Sequence, residues 1–389
     1  MSNKALLKKL IKNSNSQSAS ILSESDVFNN ITKTRTRVPI LNLALSGSFD
    51  GGLTSGLTLF AGPSKHFKSN LGLVTVSAYL KANEDAVCLF YDSEKGVTKS
   101  YLKSMGVDPD RVVYTRITTV EQLRNDVVSQ LNALERGDKV IIFVDSVGNT
   151  ASKKELADAL SDNDKQDMTR AKALKGMFRM VTPYLADLDI PMVCICHTYD
   201  TQEMYSKKVI SGGTGLMYSA DTAIILGKQQ VKEGTEVVGY DFIMNIEKSR
   251  FVKEKSKFPL HVTYEGGISM YSGLIELAME MNFVQTPTKG WRGRAFLNTE
   301  TGELELEEKK WRESESNSIE FWRPLFTHQP FLDAIQDKFR IPDKEITDGA
   351  ALEDLYATDV ESTDNLDIDD DIPDDFEDDI PLEERRGIV

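Results

Sequence analysis

The stretch of residues 57–69, LTLFAGPSKHFKS, constrains the fold of this chain more than any other. An apolar run typical of a buried strand breaks at Gly62-Pro63. A polar loop then leads to Lys68-Ser69 and to helix-compatible sequence over residues 70–82. This is the layout of a phosphate-binding loop, where backbone N–H groups and a lysine hold phosphates and a hydroxyl binds Mg²⁺. Phe67 stands where the general pattern has glycine, which makes the match less specific. Other motifs of the chain must therefore decide whether this is a phosphate-binding loop.

Composition limits the class of protein. The 389 residues are 40% hydrophobic, which suits a globular chain with one large core and smaller satellites. The chain contains no run of about 18 apolar residues, so we expect no membrane span, and its lysine-rich start does not resemble a signal peptide. Cys88, Cys194 and Cys196 lie in apolar runs and are too few for a metal site, which favours buried thiols in a reducing, cytoplasmic compartment.

The net charge of −15 is concentrated at one end of the chain. Residues 351–389 hold 16 acidic and two basic side chains, whereas residues 1–350 hold 45 and 44 and are nearly neutral. We expect this acidic tail to be disordered by self-repulsion. It is either a solvating tail or an electrostatic mimic that competes with nucleic acid for a basic surface.

Alternating apolar runs and helical patterns predict an α/β fold with a largely parallel sheet. After the first strand, the predicted strands cover residues 86–91, 111–115, 140–144, 191–196 and 222–226. The predicted helices cover residues 70–82, 98–105, 120–136 and 166–184, with a separate amphipathic helix over residues 4–12. The continuous apolar runs VIIFV and MVCIC predict strands that are covered on both faces.

Acidic and histidine side chains follow several of these strands. Asp145 ends the strand over residues 140–144, where a carboxylate downstream of a phosphate-binding loop can hold the Mg²⁺ shell. Asp92 and Glu94 follow the strand over residues 86–91, and either is placed to act as a base on water. Taken alone, Glu94 is more often a solvated loop acid, and His197 is more often structural.

Six motifs in this order resemble the RecA-type recombinases and, more narrowly, the UvsX-type recombinases of T4-like bacteriophages. They are GPSKHFKS, YDSE, VIIFVDS, CICHTYDTQ, GGTG and EKSR. The UvsX type also has an aromatic residue before the loop lysine, which accounts for Phe67. The resemblance implies a RecA-like P-loop NTPase core and an ATPase that forms filaments on single-stranded DNA, pairs it with homologous duplex DNA and drives strand exchange. It also implies that a recombination mediator and a single-strand-binding protein act as partners, and that the protein works in the host-cell cytoplasm.

The same resemblance implies roles for individual residues. Lys68 and Glu94 are implied to be catalytic with His197, which takes the place of a glutamine that senses the γ-phosphate. Ser69 and Asp145 are implied Mg²⁺ ligands. Lys248 and Arg250 are implied to reach the ATP of the neighbouring subunit. The implied ATP-binding set is Gly62, Pro63, Ser64, Lys65, His66, Phe67, Lys68, Ser69 and Asn70, together with Tyr101 against the adenine.

Two segments are candidates for DNA contact. Lys172, Lys175 and Arg179 are spaced to line one face of a helix with positive charge. The loop over residues 198–215 carries further candidates and starts at His197, which offers a route from ATP state to DNA affinity. The candidates in this loop are Lys207 and Lys208, together with Gly212 and Gly213, which match the glycine pair of the family.

The chain is predicted to have four parts. They are a basic N-terminal oligomerisation segment (1–34), the ATPase core with its DNA-binding loops (35–273), a small α+β C-terminal domain (274–345) and the acidic tail (346–389). In the third part a cluster of Lys289, Trp291, Arg292 and Arg294 contacts duplex DNA or packs as core. Two rival functions share the same ATPase core: a hexameric DNA helicase, and a protein that coats single strands and uses ATP only to assemble.

Overall fold

A computed structural model describes residues 3–15, 19–25, 32–160, 169–201 and 208–342. Its strands are β1 (Lys33–Thr34), β2 (Leu53–Thr54), β3 (Gly56–Gly62), β4 (Val87–Asp92), β5 (Val112–Arg116), β6 (Val140–Asp145), β7 (Pro191–Asp200), β8 (Lys208–Ile210), β9 (Thr222–Glu233), β10 (Glu236–Ser249), β11 (Lys257–Thr263), β12 (Gly267–Ile268), β13 (Val284–Gln285), β14 (Trp291–Leu297), β15 (Leu304–Leu306) and β16 (Trp311–Arg312).

Most α-helices of the described residues up to β9 lie between successive strands. The α-helices of the described residues are α1 (Asn3–Lys12), α2 (Pro39–Ser46), α3 (Lys68–Ala82), α4 (Lys99–Ser104), α5 (Val120–Asn132), α6 (Lys153–Leu160), α7 (Thr169–Leu188), α8 (Thr214–Ser219), α9 (Leu274–Glu280), α10 (Ile319–Phe326) and α11 (Gln329–Phe339). None of them is long and apolar enough to cross a membrane.

One large mixed sheet organises the molecule. Its strand order is β12-β11-β10-β9-β3-β7-β6-β4-β5, with β8 paired to β7. The six strands from β9 to β5 are parallel to one another, and β10, β11 and β12 continue the sheet in antiparallel fashion. The predicted α/β class is therefore confirmed, and the six predicted strands are the six parallel ones.

Helices cover both faces of the parallel strands, as the apolar runs predicted. On one face α3 contributes Leu71, Val76 and Leu80 to a core that also contains Phe60 and Phe143. On the other face α5 and α7 cover Leu57, Leu59, Ile142 and Val144 with a second set of apolar side chains. Every residue of β3 and β6 is buried, because consecutive side chains of these strands point into different apolar layers.

The antiparallel extension of the sheet was not predicted. β9 runs on past the predicted end at residue 226 to Glu233, turns at Gly234 and returns as the fourteen-residue β10. Side chains alternate along this hairpin between the core and the exterior, with few of the continuous apolar runs that marked the central strands. The hairpin extends the sheet beside the phosphate-binding loop and forms one wall of the space there.

Residues 271–341 form a smaller α+β region around the sheet of β13, β14, β15 and β16. β14 and β15 form a hairpin about Gly302, and helices follow it. The described residues up to Ile341 belong to one compact unit, and the acidic tail lies outside the described residues. At the other end, α1 is an amphipathic helix whose Leu6, Leu7 and Leu10 are all exposed.

Candidate nucleotide and DNA sites

The loop between β3 and α3 joins a buried strand to a helix that begins at Lys68, as the predicted phosphate-binding loop requires, and it contains the unusual residue Phe67. Phe67 has φ 61° and is the N-cap of α3, so its backbone is left-handed at the position where the general pattern has glycine. A side chain in this conformation costs about 1 kcal/mol. The Phe67 ring stacks on Phe242 of β10 with centroids 5.2 Å apart, which offsets part of that cost.

Lys68 lies within the charge network of this site. Its Nζ donates to the carbonyl of Pro63 at 2.8 Å, so the side chain folds back over its own loop. Burial lowers the pKa of the Lys68 ammonium, and the charges of Glu94 and Asp145 oppose that shift. The lysine is therefore held close to the carboxylates and faces the space that the loop encloses.

Asp145 is the least satisfied polar group at this edge of the sheet. The Ser69 hydroxyl hydrogen-bonds to the carboxylate, but Asp145 Oδ1 is buried with no hydrogen-bond partner among the described residues. Burial, reinforced by the charges of Glu94 and Asp92, raises the pKa of Asp145 to about 6. A carboxylate and a hydroxyl are the oxygen donors that Mg²⁺ prefers, so this pair fits a Mg²⁺ ion.

Glu94 is held by two polar side chains from neighbouring strands. Its Oε1 accepts from Ser146 Oγ at 2.6 Å and lies 3.0 Å from His197 Nε2. The hydrogen bond with His197 is the main reason that the pKa of Glu94 is lowered, and burial opposes it. Glu94 is therefore a carboxylate at neutral pH, which is the form that can accept a proton from water.

The sheet register explains why residues distant in sequence converge. Gly62 of β3 pairs with His197 of β7, and Asp92 of β4 pairs with Asp145 of β6. The carboxyl ends of these parallel strands thus meet at one edge, as is usual for ligand sites of α/β sheets. We call the group of Lys68, Glu94, Asp145 and His197, whose catalytic roles are a prediction, the catalytic edge.

A cavity of about 990 Å³ opens beside the phosphate-binding loop. Phe67 and Phe242 form part of its apolar lining, and Asn70 lies where it meets the loop. At its rim the Lys228 Nζ lies 3.6 Å above the ring of Tyr240. The cavity is lined by Arg35, Arg37, Val38, Lys65, Phe67, Asn70, Val74, Ser77, Ala78, Lys81, Ala82, Ser104, Met105, Lys228, Tyr240, Phe242, Val262, Thr263, Tyr264, Gly267 and Ile268.

Sequence reasoning missed the wall of this cavity because it comes from the unpredicted hairpin. Tyr240 and Phe242 alternate with polar residues along β10, a weak signal that identifies a strand but not what it faces. Tyr101, which the resemblance placed against the adenine, is partly buried against the core; this burial is the main reason that its pKa is raised, and the charge of Asp145 adds to the shift. Ser104 and Met105, from the end of the same helix, line the cavity.

Lys248 and Arg250 lie far from the catalytic edge of their own chain. Lys248 pairs with Ala223 of β9, which in turn pairs with Leu59 in the middle of β3. The backbone N–H of Arg250 donates to Asp221, whose carboxylate accepts from the N–H of Leu57. Along the strands, three residues (~10 Å) separate the level of Lys248 from Gly62, and five residues (~17 Å) separate the level of Arg250. Both residues also lie to the side of β3, which puts Gly62 beyond the reach of their side chains.

Both cations are held in place at that opposite edge. Lys248 Nζ donates to the carbonyls of Met217 and Tyr218 at 3.0 and 2.8 Å, and burial lowers the pKa of its ammonium. Arg250 Nε pairs with Asp221 Oδ1 at 2.5 Å, while the arginine side chain stays 67% exposed. We call Lys248 and Arg250 the distal cations.

The candidate DNA-contacting residues fall on two adjacent elements. Lys172, Lys175 and Arg179 are all exposed on α7, on the helical face that their spacing predicted. The start of that helix is fastened by Arg170, whose guanidinium donates to the carbonyls of Val147, Gly148 and Thr150.

The second segment returns from β7 to α8. Lys208 is exposed at the start of β8, whereas Lys207 lies outside the described residues. Gly212 and Gly213 have φ values of 116° and 81°, conformations that glycine adopts without strain. The N–H of Ser211 donates to the carbonyl of His197 at 2.8 Å, so this segment is tied to the catalytic edge through the backbone.

Comparison with known proteins agrees with this architecture. Residues 4–269 match the RecA N-terminal domain. The chain belongs to the RecA family. Residues 271–335 match the C-terminal domain of the bacteriophage T4 recombination and repair protein. The two matches adjoin between residues 269 and 271, and the four-part division of the chain stays a prediction.

Individual RecA relatives agree with the family match. The recombination and repair protein of Enterobacteria phage T4 is 55% identical over 336 residues, which cover 86% of each chain. Protein RecA of Chloroherpeton thalassium is 27% identical over 60% of this chain and 65% of its own length. Protein RecA of Acinetobacter baylyi is 24% identical over 60% of this chain and 66% of its own. The chain is thus a RecA-like recombinase, and family membership supports a DNA-dependent ATPase in general terms.

In the region that matches the T4 C-terminal domain, two arginines of the basic cluster serve the fold. Arg294 is 8% exposed, makes a bidentate pair with Glu307 and lies 4.8 Å from the ring of Trp311. Arg292, 14% exposed, pairs with Glu313. Their guanidinium groups are thus used internally, which leaves Lys289 and the partly exposed Trp291 as the accessible members of the cluster.

Proposed function

We propose that this RecA-like recombinase binds ATP with Mg²⁺ at residues 62–70, assembles as a helical filament on single-stranded DNA, and catalyses homologous pairing and strand exchange with duplex DNA. The observation that carries the proposal is the separation of charges across one sheet. A phosphate-binding loop and a carboxylate base lie at the catalytic edge, while the distal cations lie at the opposite edge, where only another subunit can use them.

At the catalytic edge each residue has a separate task. Lys68 neutralises phosphate oxygens. The Ser69 hydroxyl and Asp145 would hold a Mg²⁺ ion, which would supply further charge neutralisation at the phosphates. Glu94 orients a water and accepts its proton. His197 bonds to Glu94 and, through its backbone, to Ser211, so it can report the γ-phosphate to the DNA-binding segment.

The cavity beside Phe67 is the proposed pocket for the nucleoside. It adjoins the loop that would hold the phosphates, and its aromatic and aliphatic lining suits a base. Tyr101 keeps its proposed place against the adenine. Among the remaining loop residues, Ser64, Lys65 and His66 contribute backbone N–H groups to phosphate binding, and Lys65 adds positive charge.

DNA is proposed to lie along the exposed basic face of α7 and the segment that returns to α8. Phosphate contacts by Lys172, Lys175, Arg179 and Lys208 are independent of base sequence, as recombination of arbitrary DNA requires. Lys207 and the glycine pair are proposed to complete this surface. We further propose that a recombination mediator and a single-strand-binding protein act with the filament in the host-cell cytoplasm.

Electron microscopy with single-stranded DNA and a nonhydrolysable ATP analogue tests the assembly. The proposal expects continuous open helical filaments that need both ligands. Closed six-membered rings would instead support the helicase function, and protein that coats DNA equally well without nucleotide would contradict ATP-dependent assembly.

A further inference from the structure

The turn that carries Glu94 is built on a buried carboxylate that the proposed mechanism does not use. Asp92, only 2% exposed, ends β4, and its Oδ1 accepts the backbone N–H groups of both Glu94 and Lys95 at 2.8 Å. Lys95 has φ 57°, so the chain reverses tightly at this point. One carboxylate oxygen of Asp92 thus fixes the backbone from which the catalytic side chain projects.

The other oxygen of Asp92 accepts a hydrogen bond from the outermost strand of the sheet. Asp92 Oδ2 accepts the hydroxyl of Tyr114 at 2.8 Å. Tyr114 lies on β5, the last strand in the sheet order, and is 47% exposed. Its ring meets Phe90 edge to face at 5.8 Å, which fixes where the hydroxyl points. A side chain at the surface is therefore two hydrogen bonds away from the backbone of Glu94.

We propose that Asp92 and Tyr114 are positioning residues for Glu94. Neither residue belongs to the proposed nucleotide site, and both act through the orientation of the turn. Without the Tyr114 hydroxyl, the buried Asp92 Oδ2 would lose this hydrogen bond. The carboxylate would then rotate towards another donor, and its hydrogen bonds to the backbone of the turn would weaken. A shift of Glu94 by a fraction of an ångström weakens its alignment with water far more than it weakens ATP binding.

The test uses the full chain with saturating single-stranded DNA and compares two matched tyrosine substitutions. Tyr114→Phe removes the hydroxyl that bonds to Asp92. Tyr91→Phe is the control, because Tyr91 donates to Asp126 at 2.7 Å, a carboxylate on α5 away from Glu94. We expect Tyr114→Phe to lower kcat for ATP by about 3- to 10-fold with KM unchanged, and Tyr91→Phe to leave kcat within a factor of two. Melting temperatures show whether both variants are equally folded.

A double-substitution cycle separates positioning from general destabilisation. The proposal rests on the proposed role of Glu94, so Glu94→Gln must first reduce turnover strongly; if it does not, the proposed function fails independently of this inference. In the Glu94→Gln background, where turnover is followed over hours at high protein concentration, Tyr114→Phe is expected to have no further effect. An additive loss in that background, or an unchanged kcat for Tyr114→Phe alone, overturns the assignment.

Discussion

The catalytic edge and the distal cations occupy opposite edges of the same sheet, and their polar groups are satisfied differently. At the catalytic edge Asp145 has a buried oxygen without a hydrogen-bond partner among the described residues. At the opposite edge Lys248 donates to two carbonyls, and Arg250 pairs with Asp221. The first arrangement leaves a carboxylate oxygen that a ligand can bind. The second fixes the positions of two cations.

The difference indicates how one chain can hold an incomplete site. Phosphate transfer needs positive charge around the developing negative charge, and a cation supplied by a second subunit makes hydrolysis depend on assembly. The register of β3, β9 and β10 places the distal cations beyond reach of their own phosphate-binding loop. Each edge is therefore proposed to be half of a site between two copies of the chain.

Glu94→Gln should have the largest effect at the catalytic edge. The amide keeps the size of the side chain but cannot accept a proton, so we expect turnover to fall about 10²- to 10⁴-fold. Filaments should still form on single-stranded DNA with ATP. Turnover and electron micrographs of the same samples check this, with the exposed Glu84→Gln as control. Full function without turnover would favour the protein that only coats single strands.

Mixing two inactive variants tests whether the two edges complete each other. Arg250→Ala should abolish most DNA-dependent turnover, because the neighbouring site loses a cation, while Lys257→Ala, on the exposed start of β11, should not. An equal mixture of Arg250→Ala and Glu94→Gln creates some interfaces with both groups intact. Random assembly makes about a quarter of interfaces competent, so turnover should recover to that fraction. No recovery on mixing would place the arginine's role within its own chain.

Phe67→Gly tests the loop within the catalytic edge. Glycine relieves the left-handed strain but removes the stack on Phe242 and part of the cavity lining. We expect the KM for ATP to rise about 3- to 10-fold, with a smaller change in kcat. Phe242→Leu is the matched control, since it removes the stack and leaves the loop residue in place. Tighter ATP binding by Phe67→Gly would show that the ring serves no binding role.

The network around His261 gives the smallest expected effect, and on stability only. His261 bonds to Asp241 at 2.6 Å and to Glu276 at 3.1 Å, and these contacts, led by Glu276, raise its pKa to about 9. A raised histidine pKa stabilises the fold fully below the unfolded value near 6.5, and that contribution is lost as pH rises through about 9. Asp241 lies between Tyr240 and Phe242 on β10, so the network is on the other face of the cavity wall.

Melting curves across pH check this contribution. Glu276→Gln should melt about 2–4 °C below the parent chain at pH 6, and the difference should shrink by pH 10, where His261 is neutral in both. Turnover at pH 7 should not change. Glu280→Gln on the same helix, which loses an exposed pair with Lys338, is the control. A difference that stays constant with pH would assign the effect to packing.

Local patterns in the sequence determined the central strands, the helices between them and the phosphate-binding loop. Buried parallel strands need continuous apolar runs, and a phosphate-binding loop needs its lysine and hydroxyl at a fixed spacing, so both can be recognised residue by residue. The exposed basic face of α7 was predicted for the same reason, because helical spacing alone places Lys172, Lys175 and Arg179 together.

Only the tertiary structure decided which of these groups meet. The basic residues of EKSR and of the segment 289–294 look alike in sequence, yet Arg250 is exposed beside Asp221 and Arg294 is buried against Glu307. The cavity wall and the surroundings of the open oxygen of Asp145 bring together strands that are distant in the chain, and the bond from Tyr114 to Asp92 links two strands that pair side by side in the sheet. Such contacts depend on strand order and register, which are properties of the whole sheet and leave no mark on any one segment.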